Sequence, residues 1–245
     1  MRNIKLTIRY DGTGYSGWQF QKNARTVQDT IEKAIRGIVR GRVSLIASGR
    51  TDAGVHAAAQ IANFRTASKI PLDNLRMALN AKLPEDILIV KAEYARAGFN
   101  AQKSAKSKHY RYTIYNNDFM DPFLRCFASK CFFKLNASMM RKGARCLIGR
   151  HDFTSFRAKD GQEKESVRTI KYIKISRRGD LIYIDIEADG FLYNMVRNIA
   201  GTLIDVGRGK IPAEDVRKIL SAKDRRFCGP TAPARGLSLI KVNYR

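Results

Sequence analysis

The sequence is poor in the features that mark metal sites, secretion and membrane insertion. Its four cysteines form no Cys-x-x-Cys pair, and its three histidines do not accompany them at ligand spacing, which disfavours a zinc site. No apolar run approaches the roughly 20 residues that span a membrane, and Met1-Arg2-Asn3 does not begin a signal peptide. We therefore expect a cytoplasmic protein with reduced cysteines and no membrane partner.

Acidic residues are also scarce, because 22 Asp and Glu stand against 46 Lys and Arg and the net charge is +24. A surface of this sign attracts polyanions from a distance, and nucleic acid is the commonest such partner. A basic surface that serves only solubility is the alternative interpretation. With 245 residues, 44% of them apolar, the chain can form two modest domains.

The first hundred residues follow a β-α-β-β-α-β order. Residues 4–10 alternate between apolar and polar, which is typical of a strand. Apolar residues then recur at helical spacing after a capping threonine and again after a proline. The predicted elements are strands at 4–10, 43–47, 55–64 and 87–90, with helices that begin at Thr26 and Pro71.

The second half repeats this order, with one additional helix. Strands are predicted at 109–115, 172–176, 181–187 and 237–242, and helices at 138–147, 191–206 and 213–220. Two such units in tandem predict an α+β fold with two ferredoxin-like halves, residues 1–105 and 106–245, and a mixed, largely antiparallel sheet. The polar stretch Lys159–Ser166 is interpreted as a mobile loop.

A glycine-rich stretch after the first strand, Gly12-Thr13-Gly14-Tyr15-Ser16-Gly17, has the G-x-G-x-x-G spelling. A dinucleotide site requires this turn to open a helix directly, so that the helix N-terminus holds the pyrophosphate. Here the next helix begins only near Thr26. We therefore expect no nucleotide cofactor, and we expect this loop, with Tyr15 and Trp18, to contact an RNA backbone instead.

The loop between the second and third strands carries opposite charges, Arg50 and Asp52, between glycines. Glycines permit a sharp turn and the close approach of a bulky ligand. An aspartate that only stabilises a turn is the competing interpretation, and the pattern alone favours it. There is no second carboxylate nearby, as glycosidases require, and no Ser-His-Asp arrangement is evident.

Two further segments carry candidate binding residues. Tyr110 and Tyr112 share one face of a predicted strand because they are two residues apart; such rings stack on bases or belong to the core. On the helix at 191–206, Arg197 has no acidic residue four positions away on either side, so a solvated arginine is the default expectation. Its polar face is predicted to contain Asn194, Arg197, Asn198, Gly201 and Asp205.

The most specific run in the chain is Gly49-Arg50-Thr51-Asp52-Ala53-Gly54-Val55-His56. Other short motifs accompany it in order: Tyr10-Asp11-Gly12-Thr13, Gly17-Trp18-Gln19, Asn80 with Leu83-Pro84, Tyr110-Arg111-Tyr112, His151-Asp152-Phe153 with Ser155-Phe156, Met195-Val196-Arg197-Asn198-Ile199, and Gly236-Leu237. Together, over nearly the whole chain, they resemble the tRNA pseudouridine synthase A family.

The resemblance implies an enzyme that isomerises uridine to pseudouridine at positions 38, 39 and 40 in the anticodon arm of tRNA. It also implies a homodimer that needs no cofactor and no metal, and two ferredoxin-like halves that flank a central cleft. Where family members often have Phe-His-Ala-Arg, this chain has Phe99-Asn100-Ala101-Gln102, so one basic contact with the RNA is missing.

The resemblance further implies a role for each of five residues. Asp52 is expected to be the catalytic carboxylate, and Arg50 is implicated in extruding the target nucleotide. Tyr110 is expected to lie against the target base. Arg197 is expected to pair with the carboxylate, and Leu237 to pack beside the site.

Other functions remain open at this point. A non-catalytic RNA-binding protein with two RRM-like halves suits the charge and the strand aromatics, but the chain has no RNP1-type run. A synthase that acts on another RNA site is a second alternative. A nucleotide-dependent enzyme is a distant third, because the glycine motif lacks its structural context.

Overall fold

The computed structural model of the chain describes residues 1–41, 43–158 and 165–244. Residues 159–164 of the predicted mobile loop Lys159–Ser166 lie outside the described residues. The chain divides into two compact units. Unit 1 comprises Met1–Lys106 with Leu239–Arg245, and unit 2 comprises Ser107–Ser238.

Unit 1 follows the predicted β-α-β-β-α-β order. The elements are β1 (Arg2–Tyr10), α1 (Val27–Val39), β2 (Ile46–Ala47), β3 (His56–Thr66), α2 (Leu72–Lys82) and β4 (Ile87–Ala95). Antiparallel pairing gives the strand order β4-β1-β3-β2. The predicted strand at 43–47 is reduced to two residues.

The core of unit 1 follows from the periodicity of its strands and helices. Ile4, Leu6 and Ile8 of β1 are fully buried, as expected for alternate residues on one face of a strand. Thr26 is the N-cap of α1 and accepts a hydrogen bond from the backbone of Asp29, which satisfies one of the exposed helix-end donors. Ile31 on the same helix is fully buried.

Unit 2 contains more elements than predicted. They are β5 (Ser107–Tyr115), β6 (Ser129–Lys130), α3 (Ala137–Ala144), β7 (Gly149–Asp152), β8 (Val167–Arg178), β9 (Leu181–Ala188), α4 (Met195–Gly207) and α5 (Asp215–Ala222). The strand order is β5-β9-β8-β7 with antiparallel pairing, and β6 pairs with β5 in parallel. The unpredicted strands, β6 and β7, are too short to give a periodic pattern.

The last strand, β10 (Leu237–Asn243), contains the boundary between the two units, which falls after Ser238. From Leu239 onward its residues belong to unit 1, where β10 follows β3 in the strand order. The sequence interpretation assigned these residues to the half 106–245. The boundaries of the two domains stay a prediction.

The predicted α+β class with largely antiparallel strands is confirmed. The helix predicted from Phe191 begins only at Met195, because Asn194 has a φ of 59° and a left-handed residue does not continue a right-handed helix. Across the described residues, no helix is long and apolar enough to cross a membrane.

Candidate active site

Asp52 lies in a tight turn between β2 and β3. The backbone N–H of Val55 donates to the carbonyl of Asp52 at 3.1 Å, and Gly54, the third residue of the turn, has a φ of 76°. A turn with a positive φ at this position favours glycine. The main chain therefore closes the turn, while the side chain of Asp52 is half-buried and that of Arg50 is exposed.

The glycine-rich loop packs against the backbone of this turn. The N–H of Trp18 donates to the carbonyl of Thr51 at 3.0 Å, and the N–H of Gly54 donates to the carbonyl of Tyr15 at 3.3 Å. A Cβ at Gly17 would lie 2.7 Å from the Thr51 oxygen, and Gly17 has a φ of 86°. The loop is thus a close-fitting support for the residues on either side of Asp52.

The expectation that Tyr15 and Trp18 are presented to RNA is wrong. Their side chains are only 4% and 2% exposed, because large aromatic rings gain most from burial. The hydroxyl of Tyr15 donates to the carboxylate of Asp86 at 2.5 Å. Both rings therefore contribute to the packing beneath the loop.

Buried polar side chains hold the strand-end residues before Asp52. The hydroxyl groups of Tyr10 and Thr51 lie 2.7 Å apart, and burial raises the pKa of Tyr10, so its hydroxyl stays protonated. Gln60 donates to the carbonyl of Gly49 at 2.9 Å and accepts from Ser48 at 2.6 Å. Sequence reasoning placed Tyr10 in a motif but gave it no role, and it did not single out Gln60, which lies on a strand without a distinguishing local pattern.

Tyr110 and Tyr112 both point to the buried face of β5. Tyr110 is 7% exposed and its ring makes an edge contact with Phe191, with centroids 5.1 Å apart. The hydroxyl of Tyr112 donates to the carbonyl of Pro233 at 2.9 Å. Burial raises the pKa of Tyr112, while the positive charge of Arg197 acts in the opposite direction and is outweighed. Tyr112, two residues from the candidate base contact Tyr110, is therefore neutral.

Arg197 is fixed in place at the start of α4, so the default expectation of a solvated arginine is wrong. Its Nε donates to the carbonyl of Ala232 at 2.8 Å, and its Nη1 donates to the side-chain oxygen of Asn194 at 2.9 Å. The N–H of Ala232 returns a bond to the carbonyl of Arg197 at 3.1 Å. Two donors of the planar guanidinium group are thus engaged, which sets its orientation.

Residues 228–236, which end in a 3₁₀ turn at Ala234–Gly236, form a segment that packs against α4. The N–H of Gly229 donates to the hydroxyl of Thr202 at 3.0 Å. A Cβ at Gly201 would lie 1.7 Å from the carbonyl oxygen of Pro230, so only glycine permits this approach. The segment, which sequence reasoning did not single out, therefore depends on contacts with a distant helix.

The face of α4 that was predicted to be polar and opposite to the core is largely buried, and this segment packs on its first half. Asn198 is fully buried and Asp205 is 3% exposed. Asn198 accepts a hydrogen bond from Thr231 at 2.7 Å, so its amide is satisfied by the packed segment. The same segment leads directly into Leu237, which is 5% exposed.

Each unit therefore brings together part of the predicted site. In unit 1, Arg50 and Asp52 share one supported turn. In unit 2, Arg197 is tied to Ala232, and the adjacent Pro233 is tied to Tyr112, two residues from Tyr110. The pairing of Asp52 with Arg197 stays a prediction.

The opposite face of β5 carries an ionic cluster that belongs to the fold. Asp185 is 5% exposed, lies 2.7 Å from Nε2 of His109 and accepts two bonds from Arg111, at 2.9 and 3.2 Å. Burial raises the pKa of the Asp185 carboxyl, but the bonds and charges of these two neighbours outweigh it and hold the pKa below its ordinary value.

Several other motif residues stabilise local structure. Asn80 exchanges two hydrogen bonds with the backbone of Ile89 at 3.0 and 2.8 Å, which joins α2 to β4. Asn100, where the family often has histidine, accepts from the backbone of Gln102 and of Lys103 at 3.0 and 2.9 Å. Its side chain thus forms a local turn at the position of the missing basic contact.

Comparisons with known proteins identify the family of this chain. A family model described as tRNA pseudouridine synthase matches residues 6–102 and 144–245. Proteins named tRNA pseudouridine synthase A from Thermoanaerobacter sp. (strain X514) and from Acetivibrio thermocellus are each 48% identical over 244 residues, and one from Caldicellulosiruptor bescii is 47% identical. Each alignment covers 100% of this chain and 100% of the relative.

Among solved structures, the crystal structure of a Cbf5-Nop10-Gar1 complex is similar over 82% of this chain and 54% of that chain, at 11% identity and a TM-score of 0.34. A likeness of this extent carries no argument about function. The family match covers most of the chain and both units, and the full-length relatives extend it to every described element. The chain belongs to the tRNA pseudouridine synthase family.

Proposed function

We propose that this chain converts uridine to pseudouridine at positions 38, 39 and 40 in the anticodon arm of tRNA, with Asp52 as the catalytic carboxylate. The type of reaction rests on family membership. The assignment of Asp52 is supported by its turn, in which the N–H of Val55 donates to the carbonyl of Asp52 and Gly54 has a positive φ. The backbone of this turn fixes the position of the residue that carries the carboxylate.

The reaction breaks the N1–C1′ bond of uridine, turns the uracil and rejoins it to C1′ through C5; the C5 hydrogen leaves as a proton, and N1 takes up a proton. Because the reacting atoms are inaccessible inside a duplex, the nucleotide must first leave the stack. We assign Arg50, exposed beside the turn, to hold the vacated position, and Tyr110 to lie against the extruded base.

Asp52 must be ionised to act as a nucleophile or as a base toward the sugar. We assign Arg197 to favour that charged form by Coulomb attraction, a role supported by the bonds that hold its guanidinium plane in place. Leu237 would exclude water beside the carboxylate, which strengthens the attraction and protects the intermediate. We propose that the reaction needs neither a metal nor a cofactor.

The test uses tRNA transcripts that carry tritium at C5 of uridine. Release of tritium reports the isomerisation directly, because C5 loses its hydrogen when it becomes the glycosidic carbon. We expect release by the wild type and none by Asp52→Asn. Asp73→Asn, which changes an exposed carboxylate of α2 in the same unit, is the matched control and should release tritium normally.

The outcomes separate the alternatives. Transcripts with uridine replaced singly at positions 38, 39 and 40 identify the sites, and ribosomal RNA transcripts assayed beside them test a different target. Release from ribosomal RNA alone would reject the tRNA assignment. Binding of tRNA without release from any transcript would favour a non-catalytic RNA-binding protein.

We also propose that the protein is cytoplasmic and acts as a homodimer. The dimer is supported by the segment at residues 117–133, in which Phe119 and Phe123 are 82% and 91% exposed. With Phe127, Phe132 and Phe133 the segment exposes on the order of 600 Å² of phenylalanine surface, most of the roughly 800 Å² that each partner contributes to a stable interface. Its two acidic and two basic residues sum to no net charge, so this segment does not attract RNA by charge.

Light scattering after size exclusion tests the dimer. The wild type should have twice the mass of the chain, and Phe119→Ser with Phe123→Ser should have the mass of one. A monomeric wild type would reject the dimer. An unaltered mass for the variant would reject this segment as its interface.

A further inference from the structure

Beside the Asp52 turn, unit 1 contains a groove of about 780 Å³ between the loop at residues 20–25 and the helix α1. Asp29, Thr30, Lys33 and Ala34 of α1 line it, together with Lys82, the last residue of α2. The groove is large enough for one to two nucleotide units, because ligand sites commonly measure about 300–1,000 Å³.

The groove is strongly cationic. Lys22, Arg25, Lys33 and Lys82 line it, and Asp29 is the single acidic residue among its lining residues, although Arg25 is also paired with Asp86 at 3.2 Å. The pair between Lys33 and Asp29 has a separation of 2.7 Å, but the lysine side chain is 72% exposed, and exposed ion pairs of this kind are readily exchanged for other partners. The charge therefore complements a polyanion.

The loop that forms the groove wall is anchored to the Asp52 turn. The N–H of Trp18 binds the carbonyl of Thr51 at 3.0 Å, and the N–H of Phe20 donates to the side chain of Gln28 at 3.1 Å. Because consecutive Cα atoms are about 3.8 Å apart, Phe20 lies within about 8 Å of Trp18. The groove thus opens next to the residues that support Asp52.

Phe20 adds a flat apolar surface at this opening. Its side chain is 52% exposed, in contrast to the buried rings of Tyr15 and Trp18 nearby. Exposed aromatic rings beside cationic side chains are the usual means by which proteins bind unpaired nucleotides, through stacking and phosphate contacts together. The combination separates this surface from a merely solvated basic one.

We propose that this groove binds the RNA backbone that flanks the target uridine, with Lys33 and Lys82 as phosphate ligands and Phe20 stacked on an unpaired neighbouring base. The inference rests on the proposed function, because it identifies the strand in the groove as part of the same tRNA. Its role is to hold the strand on one side of the extruded nucleotide, so it acts in binding and not in the chemical step.

The first experiment measures tRNA affinity against salt concentration for Lys33→Ala with Lys82→Ala. Loss of two phosphate contacts should reduce the slope of log K against log salt by about 1.4 to 1.8. Extrapolated from a common value at 1 M salt, this corresponds to affinity weakened about 25- to 60-fold at 0.1 M salt. Tritium release at saturating tRNA should keep the wild-type rate.

The matched control is Lys142→Ala with Lys218→Ala. These lysines also lie on exposed helix surfaces in ion pairs, with Glu214 at 3.5 Å and Asp215 at 2.7 Å, and their loss changes the net charge equally. The control should keep the wild-type slope. Equal slopes for the groove variant and the wild type would overturn the proposal, as would equal reductions in the groove variant and the control.

A second experiment addresses stacking. Phe20→Ala should weaken tRNA binding about 5- to 150-fold, the range that stacking of one base implies, whereas Phe20→Trp should retain it. Equal affinities for all three proteins would overturn the role of Phe20. Both experiments measure tRNA affinity and not the reaction. A wild type that binds tRNA but releases no tritium would therefore reject the proposed function, while the affinities of the variants would still decide the groove proposal.

Discussion

Replacement of Gly17 by alanine should displace the turn that carries Asp52 without altering a charge or a candidate catalytic group. Gly17 has a φ of 86°, and an added Cβ would lie 2.7 Å from the carbonyl oxygen of Thr51. Ordinary contact of a Cβ begins near 3.4 Å, so the two atoms must separate by a further ~0.7 Å. Thr51 immediately precedes Asp52, and the turn must therefore move.

The size of the effect has two parts. A residue with a side chain costs about 1–2 kcal/mol in the left-handed conformation. Movement of the Thr51 carbonyl weakens its 3.0 Å bond from Trp18, which adds about 1 kcal/mol. We expect the free energy of unfolding to fall by about 2–3 kcal/mol and, because misplacement by ~1 Å can cost 100-fold, the rate to fall about 10- to 100-fold.

The assays are urea unfolding and single-turnover tritium release, measured at a temperature where the variant is folded. Gly14→Ala is the control, since Gly14 is in the same loop and an added Cβ would meet only Arg25 at an ordinary 3.6 Å. It should remain within about 0.5 kcal/mol of the wild type. A folded Gly17→Ala protein with the wild-type rate would refute the argument that this loop positions Asp52.

Two further changes test unit 2. Arg197→Lys should lower the single-turnover rate about 10- to 100-fold with little change in tRNA affinity. The reason is that a lysine ammonium lacks the planar fork of donors that bonds Ala232 and Asn194 at the same time. A wild-type rate would contradict the positioning role. Asp185→Asn should lower the free energy of unfolding at pH 7 by about 2 kcal/mol. Because the folded-state pKa of Asp185 is depressed, the extra stability of the wild type should be fully present above the unfolded pKa near 4 and should disappear as the pH falls through the folded value. A difference in the free energy of unfolding that persists in urea unfolding below that value would contradict the assignment.

Elements with clear local end signals could be predicted from the sequence. The threonine at position 26 begins α1 where its hydroxyl can accept a backbone bond, Pro71 precedes α2, and the Gly179 turn, with a φ of 57°, joins β8 to β9. The candidate catalytic loop could also be identified in sequence, because its glycines and charges are contiguous. These features depend on residues within a few positions of one another.

The surroundings of the site depend on contacts between distant residues, and local patterns do not encode them. The polar face of α4 gave every local indication of exposure, yet the segment at 228–236 buries Asn198 and carries the carbonyl that orients Arg197. Trp18 likewise had the pattern of a loop aromatic, but its backbone supports Thr51 and its ring is buried. Periodicity reports which face of an element is polar, whereas burial and orientation depend on which distant backbone packs against that face.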